Sequence, residues 1–304
     1  MALTAGAAYE GIAGARDASF APPPEQMFDI GGHRLHLVCQ GEGSPTVVLE
    51  AGLGGSSLDW ILVQSRLATS TRVCAYDRAG MGWSEAGPGP RTPERIAEEL
   101  HTLLSIAGIS PPYLMVAHSL GAKNIRMFDL RHPGEVVGMV LVDGRSEFMD
   151  EIASQSDADS FTAALADQAR LFTFARQIGI ARLFGAELLV GEPGLARDVA
   201  TRMALLQTSP LAIETTTLEG TARSASDETL QGSTLGSLPL VVLAAGDNMK
   251  NLPNWPEAQN SLAALSTAGR LVVAEDSGHY IQLEDPDLVL TTVAEMLAEV
   301  RQAP

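Results

Sequence analysis

Four short, largely apolar runs constrain this chain more than any other feature: TVVLEAG (46–52), YLMVAH (113–118), GMVLVD (138–143) and LPLVVLAAG (238–246). Each is too brief for a core helix and is bounded by turn residues, so each reads as a strand buried on both faces. Apolar residues at helical spacing run from about Thr92 to Ala107 and from Leu120 to about Leu130, between successive strands. Parallel strands need such crossovers, and helices laid on both faces of a sheet explain why the strands lack polar alternation. RVCAYD (72–77) and RLVVAE (270–275) add two more strands, and a final helix spans about Asp287 to Val300. Ahead of them FDI and RLHLVC flank Gly31-Gly32 with period-two alternation, the pattern of a hairpin leading into the sheet.

From Gly144 to about Ser237 the strand signal vanishes, while LFTFARQIGIARLF and ARDVATRMALLQ carry apolar residues at helical spacing. A helical insertion after the sixth strand is expected. The chain then divides into a lead-in over 1–26, an α/β core over 27–143 and 238–304, and a cap over 144–237. Pro22-Pro23-Pro24 makes the lead-in an extended connector.

With 37 acidic against 20 basic residues the formal charge is -17. Such a surface repels phosphate backbones and anionic lipid, which argues against nucleic acid as a partner. The first residues lack a basic n-region, and no stretch reaches the roughly 18 apolar residues of a membrane span. The expectation is a soluble, cytoplasmic protein, monomer or homodimer. Cys39 and Cys74 are too few for a disulfide framework and are expected to be free, buried thiols. The six histidines show no metal-ligand spacing, so neither metal nor cofactor is expected.

In YLMVAHSLGAKNIR, Ser119 follows an apolar strand and opens a helix. A turn this sharp strains the backbone of the turning residue and lifts its side chain above the sheet. Small residues must flank it, and Ala117 and Gly121 do, giving A-H-S-L-G. A serine hydroxyl needs a base oriented by an acid. His279, just after the last strand, reaches the same sheet edge. His33 and His36 lie in the hairpin, His101 in a helix, His132 in a turn, and His118 is expected to point away from the serine. Asp247, after the strand LPLVVLAAG, completes the chain order Ser, Asp, His and is the first choice of acid. Asp143, at the end of GMVLVD, is the alternative, because Asp247 follows Gly246 at once and the third position after that glycine holds Met249. An acyl-transfer site also needs donors for the developing oxyanion. The amide of Leu120 and, in the glycine-rich turn LEAGLGGSSLDW, the amide of Leu53 are the candidates. Neither nucleotide fingerprint occurs there.

AGLGGSSLDW, YDRAGMGWSE, MVAHSLGA, GMVLVDG, LVVLAAGD and SGHYIQLEDPDLV, in that order over about residues 28 to 300, resemble the α/β-hydrolase superfamily in its capped, esterase- and lipase-like branch. The resemblance implies the α/β-hydrolase fold, catalytic roles for Ser119, His279 and Asp247, and oxyanion roles for Leu53 and Leu120. Relatives that carry the acid one strand earlier keep Asp143 open. Where many relatives have His before the glycine of the oxyanion turn, this chain has Ala51, which leaves the donor but changes what supports the loop. Asp77 and Arg78 are expected to be structural.

The expected activity is hydrolysis of small to medium, largely apolar carboxylic esters through an acyl-enzyme, monoesters of aromatic dicarboxylates among them. Acyl transfer, perhydrolysis or carbon-carbon bond hydrolysis with the same residues, and a non-catalytic small-molecule binder, are the alternatives. Trp60, Met249, Phe148 and Phe172 are the expected pocket residues, with Met149, Leu171, Phe174, Ile178 and Phe184 as further apolar candidates. An anionic ester would call for Arg145, Arg170, Arg176, Lys123 or Lys250.

Overall fold

The computed structural model describes residues 26–152, 155–178, 195–222 and 227–302. The expected lead-in therefore lies outside the described residues, save Gln26. Among the described residues eight strands form one sheet: β1 (Met27–Asp29), β2 (Arg34–Gln40), β3 (Thr46–Glu50), β4 (Val73–Tyr76), β5 (Tyr113–His118), β6 (Val136–Val142), β7 (Leu240–Ala245) and β8 (Gly269–Ala274). Their spatial order is β1-β2-β4-β3-β5-β6-β7-β8. β1 and β2 pair antiparallel with their neighbours, and all pairs from β4 onward are parallel. This is the α/β-hydrolase fold, a mostly parallel sheet covered by helices.

The helices are α1 (Ile61–Leu67), α2 (Pro93–Ile106), α3 (Gly121–Arg131), α4 (Glu147–Ile152), α5 (Gln155–Gln177), α6 (Arg197–Gln207), α7 (Pro210–Ala222), α8 (Asp227–Leu230), α9 (Gly246–Asn251), α10 (Trp255–Ala263), α11 (Ile281–Glu284) and α12 (Pro286–Gln302). Successive strand residues point to opposite faces and so feed two cores. Val48, Met115, Ala117, Met139, Leu141 and Val242 pack with α2 and α3. Val47, Leu49, Leu114, Val116, Val140 and Val241 pack with α1 and α12. Thr92 caps α2, accepting from the Arg95 amide, and Pro93 follows at the first helical position, where its missing N–H costs nothing.

The helices α4 to α8 all fall between β6 and β7, so the insertion sits where the loss of strand signal places it. ARDVATRMALLQ forms α6, while residues 179–184 of LFTFARQIGIARLF lie outside the described residues. α9 and α11 are short helices beyond the ends of β7 and β8, and α10 is the crossover between those two strands, packed on both.

The cysteines depart from expectation. β2 and β4 are adjacent although β3 separates them in sequence, and their register sets Cys39 opposite Cys74. The Cα atoms are 4.1 Å apart and the two sulfurs form a disulfide. Two cysteines are too few for a framework, yet the crossover brings this one pair face to face. Disulfides are uncommon in a reducing cytosol, which sets this bond against the cytoplasmic expectation. No described helix is long and apolar enough to cross a membrane. Thiol titration of protein unfolded without reductant should find no free thiol, and reduction should lower stability by roughly 3–4 kcal/mol for a loop of this length. Two titratable thiols in freshly isolated protein would contradict the pairing.

Candidate active site

The parallel strands end on one edge, and the backbone there extends the sheet by single hydrogen bonds. The Ser119 amide donates to Val142 O at 3.0 Å and the Asp143 amide to Leu243 O at 2.6 Å. Immediately beyond these bonds the chain turns with positive φ, 50° at Ser119 and 44° at Asp143, a region that residues other than glycine rarely enter. The space explains the flanking small residues: a Cβ on Gly121 would stand 2.7 Å from Glu50 Cγ and 2.8 Å from Ala51 O.

His279, in the turn between β8 and α11, bridges the two. Its Nε2 lies 3.0 Å from Ser119 Oγ and its Nδ1 2.6 Å from Asp143 Oδ2. The Asp143 side chain is fully buried. Its Oδ1 accepts from the Ala245 amide and from Trp255 Nε1, both at 2.9 Å, and its Oδ2 also accepts from Asn248 Nδ2 at 2.5 Å. Asp247, the first choice from sequence, is not beside the imidazole. The chain enters α9 directly at Gly246, so Asp247 points to solvent, while its amide donates to Ser277 O at 3.2 Å. Trp255 and Asn248 carry no sequence signal of their role. They act only because α9 and α10 fold back over the carboxylate.

His118 lies against His279. Its Nε2 donates to His279 O at 2.9 Å, and the two ring centroids are 4.5 Å apart. Burial, with His279 adding to it, holds the pKa of His118 well below the ordinary histidine value. A neutral ring with a proton on Nε2 thus tethers the histidine turn from below.

The glycine turn after β3 lies against the serine: a Cβ on Gly52 would be 3.1 Å from Ser119 Cβ and 2.7 Å from His118 Nδ1. Only glycine allows this approach. Among the described residues the amides of Leu53 and Leu120 have no hydrogen-bond acceptor. Arg78 is buried beneath the same turn, donating to Ala51 O and Gly52 O at 2.7 Å each, and Asp77 accepts from His36 Nδ1, the Ser57 amide and the Trp83 amide. Both residues of the YDRAG segment are structural supports in this sense.

A family model described as the alpha/beta hydrolase family matches residues 47–292. The chain belongs to the alpha/beta hydrolase family. It is 27% identical over 269 residues to an uncharacterized protein of Bacillus subtilis, covering 87% of this chain and 88% of that one. An uncharacterized protein of Schizosaccharomyces pombe is 28% identical over 302 residues, and the match spans 87% of this chain but only 54% of the yeast protein. Among solved structures, a thermophilic esterase from Thermogutta terrifontis superposes with a TM-score of 0.68 at 21% identity, covering 90% of this chain and 97% of that one, a likeness of fold.

In this alpha/beta hydrolase a cavity of about 160 Å³ lies between the glycine turn and the insertion, lined by Leu53, Tyr280, Leu165, Phe172, Ile213 and Thr216 among others. Phe172, one of the expected pocket residues, lines this cavity. Trp60 does not: the 3₁₀ turn Ser57–Trp60 carries it under the sheet, where it is fully buried among Val47, Leu49 and Val63. Phe148 and Met249 are half-buried and do not line the cavity, Leu171 and Phe174 are exposed, and Phe184 lies outside the described residues. The cations considered for an anionic ester are engaged elsewhere. Lys123 pairs with Asp227, Arg170 with Asp167 and Lys250 with Glu275, Arg176 donates to Leu205 O, and Arg145 stands over Phe161.

Away from this edge, His101, His132 and Glu135 gather ligand-type atoms within 4.8 Å of one another. The two rings are stacked with centroids 3.8 Å apart and planes 5° from parallel. A metal ion lies in the plane of each imidazole that binds it, about 2 Å from the nitrogen, and two parallel planes share no such point. The histidines are a stacked pair, of which His101 is hydrogen-bonded through Nε2 to Glu135 at 3.3 Å.

Asp59, in the turn that follows the glycines, is fully buried, and burial pushes its carboxyl up to about 7. The folded protein therefore keeps this proton through a range in which the unfolded chain, with an ordinary aspartate, has lost it. Stability from this group must fall as pH rises from about 4 to about 7, by up to about 1.4 kcal/mol per pH unit. Asp59→Asn should remove that slope, so that its urea midpoint relative to wild type rises between pH 5 and pH 8. An identical offset at both pH values would refute the assignment.

Proposed function

We propose that this hydrolase cleaves carboxylic esters through an acyl-enzyme on Ser119. The observation that carries the reading is His279, within hydrogen-bond reach of Ser119 Oγ on one nitrogen and Asp143 Oδ2 on the other. Ser119 Oγ attacks the ester carbonyl as His279 Nε2 takes its proton. Asp143 keeps the Nδ1–H tautomer and stabilises the imidazolium that forms. The amides of Leu53 and Leu120, which have no acceptor among the described residues, receive the oxyanion of the tetrahedral intermediate. His279 returns the proton to the leaving alkoxide, then activates the water that releases the acid and restores Ser119.

In this reading residues 27–143 and 238–304 form the catalytic core and 144–237 a cap that bounds the pocket. Leu165, Phe172 and Ile213 supply apolar walls, with Gln168 and Thr216 as neutral hydrogen-bonding groups. Among the described residues no charged side chain lines this cavity, which favours small neutral esters over monoesters of aromatic dicarboxylates.

Turnover of p-nitrophenyl esters from acetate to octanoate tests the reading. Ser119→Ala should abolish the acyl burst and reduce kcat by on the order of 10⁴-fold or more. Asp143→Asn should cost about 10³- to 10⁴-fold through loss of the productive tautomer, and Asp247→Asn less than about threefold. Turnover that survives Ser119→Ala would end the proposal, and collapse with Asp247→Asn alone would end the assignment of Asp143.

A further inference from the structure

The peptide that joins Gly52 to Leu53 has two ends. Its carbonyl, Gly52 O, accepts from Arg78 Nη2 at 2.7 Å and from the Gly55 amide at 3.1 Å. Its N–H is that of Leu53, the oxyanion donor of the proposed mechanism. In a trans peptide the two groups point in opposite directions. Whatever grips the carbonyl therefore aims the N–H away from itself, and Gly52 at the start of this peptide packs against Ser119.

Arg78 grips it with nothing to spare. The guanidinium uses all five N–H groups: Nε and Nη2 on Glu219 at 2.9 Å each, Nη1 on Glu50 at 3.0 Å and on Ala51 O, and Nη2 on Gly52 O. Arg78, Glu50 and Glu219 are all buried. Glu50 is steadied by Asn124 Nδ2 at 2.7 Å. Glu219 belongs to α7, part of the insertion, and that helix lies directly on both glycine turns. A Cβ on Gly80 would stand 2.1 Å from Thr215 Oγ1, and one on Gly54 3.3 Å from Thr216 Oγ1.

We propose that Arg78 and Glu219 are positioning residues that set the direction and donor strength of the Leu53 amide, so that the oxyanion hole is complete only while α7 is seated on the core. The proposal rests on the acyl-enzyme reading above. The fork of Glu219 orients the guanidinium, the guanidinium fixes the Gly52 carbonyl, and a carbonyl hydrogen-bonded to a cation polarises its own peptide and makes its N–H a better donor. Arg78 holds this turn at two successive carbonyls, Ala51 O and Gly52 O. Glu219, which touches neither serine nor substrate, thereby influences the transition state more than the ground state.

Glu219→Gln removes the charge and one of the two acceptors at nearly constant volume. Removal of a whole oxyanion donor typically costs 10²- to 10³-fold, so a weakened and loosened one should cost roughly 10- to 100-fold in kcat, with KM changed by less than about threefold. Affinity for a trifluoromethyl ketone, whose serine adduct places an oxyanion in the hole, should fall by the same factor as kcat. Thermal unfolding of each variant establishes that it is folded. If Glu219→Gln does not fold, Glu219→Asp and Arg78→Lys take its place, since both keep the charges but not the paired geometry, and the same parallel loss is expected. Unchanged kcat and ketone affinity in a folded variant would overturn the inference, as would a rise in KM with kcat intact, the mark of a pair that only shapes the pocket. A wild-type protein that the ketone does not modify at Ser119 and that turns over no ester would instead overturn the underlying reading, and the inference with it.

Discussion

Parallel pairing of β3 through β8 is the constraint from which the site follows. Strands that run the same way must all end on the same edge, and on that edge the ladder does not stop where the strands do. Ser119 and Asp143 each donate one last backbone hydrogen bond to the neighbouring strand before the chain bends into positive φ. Ser119 and Asp143 are thus fixed by the sheet itself rather than by loops. The strain of the two turns is tolerable because buried β5 and β6 hold their near ends rigidly. Only His279 arrives on a turn, and it is tied at its carbonyl by His118 and at its ring by Asp143.

Sequence reasoning works well where a single strand decides the outcome. The apolar runs are the strands, A-H-S-L-G is the sharp turn, and the histidine after the last strand is the one beside the serine. It fails where two or more elements must be placed first. Asp247 and Asp143 differ by which way α9 leaves β7, and the missing spacing after Gly246 was the one legible sign that the chain turns early there. Cys39 and Cys74 look unrelated until β4 is known to lie between β2 and β3. Trp60 follows the glycine turn closely in sequence, but a single 3₁₀ turn carries its ring through to the opposite face of the sheet. The motif alone marks Arg78 as structural, and its partner Glu219, 141 residues away, has no sequence signal.

The seam between core and insertion joins a small apolar cluster, in which Leu58 and Leu283 meet Met203 and Ala204, to ion pairs that are largely withdrawn from water. Arg78 meets Glu219, Lys123 meets Asp227 and Arg126 meets Glu147. Buried pairs of this kind add little net stability, since desolvation offsets most of the attraction, but they tolerate almost no displacement. An apolar contact can slide by an ångström and keep its energy, whereas a two-pronged carboxylate on a guanidinium cannot. The insertion is therefore registered on the core rather than merely stuck to it. Its register reaches the edge that carries Ser119 through α7.

The disulfide between Cys39 and Cys74 gives the molecule a mechanical asymmetry. β1 and β2 form the antiparallel margin of the sheet, where a pull on the chain ahead of residue 26 would ordinarily peel one strand away rung by rung. Peeling of that sort needs little force because hydrogen bonds yield one at a time. The covalent rung sits one residue before the end of β2 and binds it to β4. Tension from that side can open the hairpin and strip most of β2, then halts at a bond that thermal forces do not break. Load passes into β4, leaving β3 and β5 and the turns they carry unstretched.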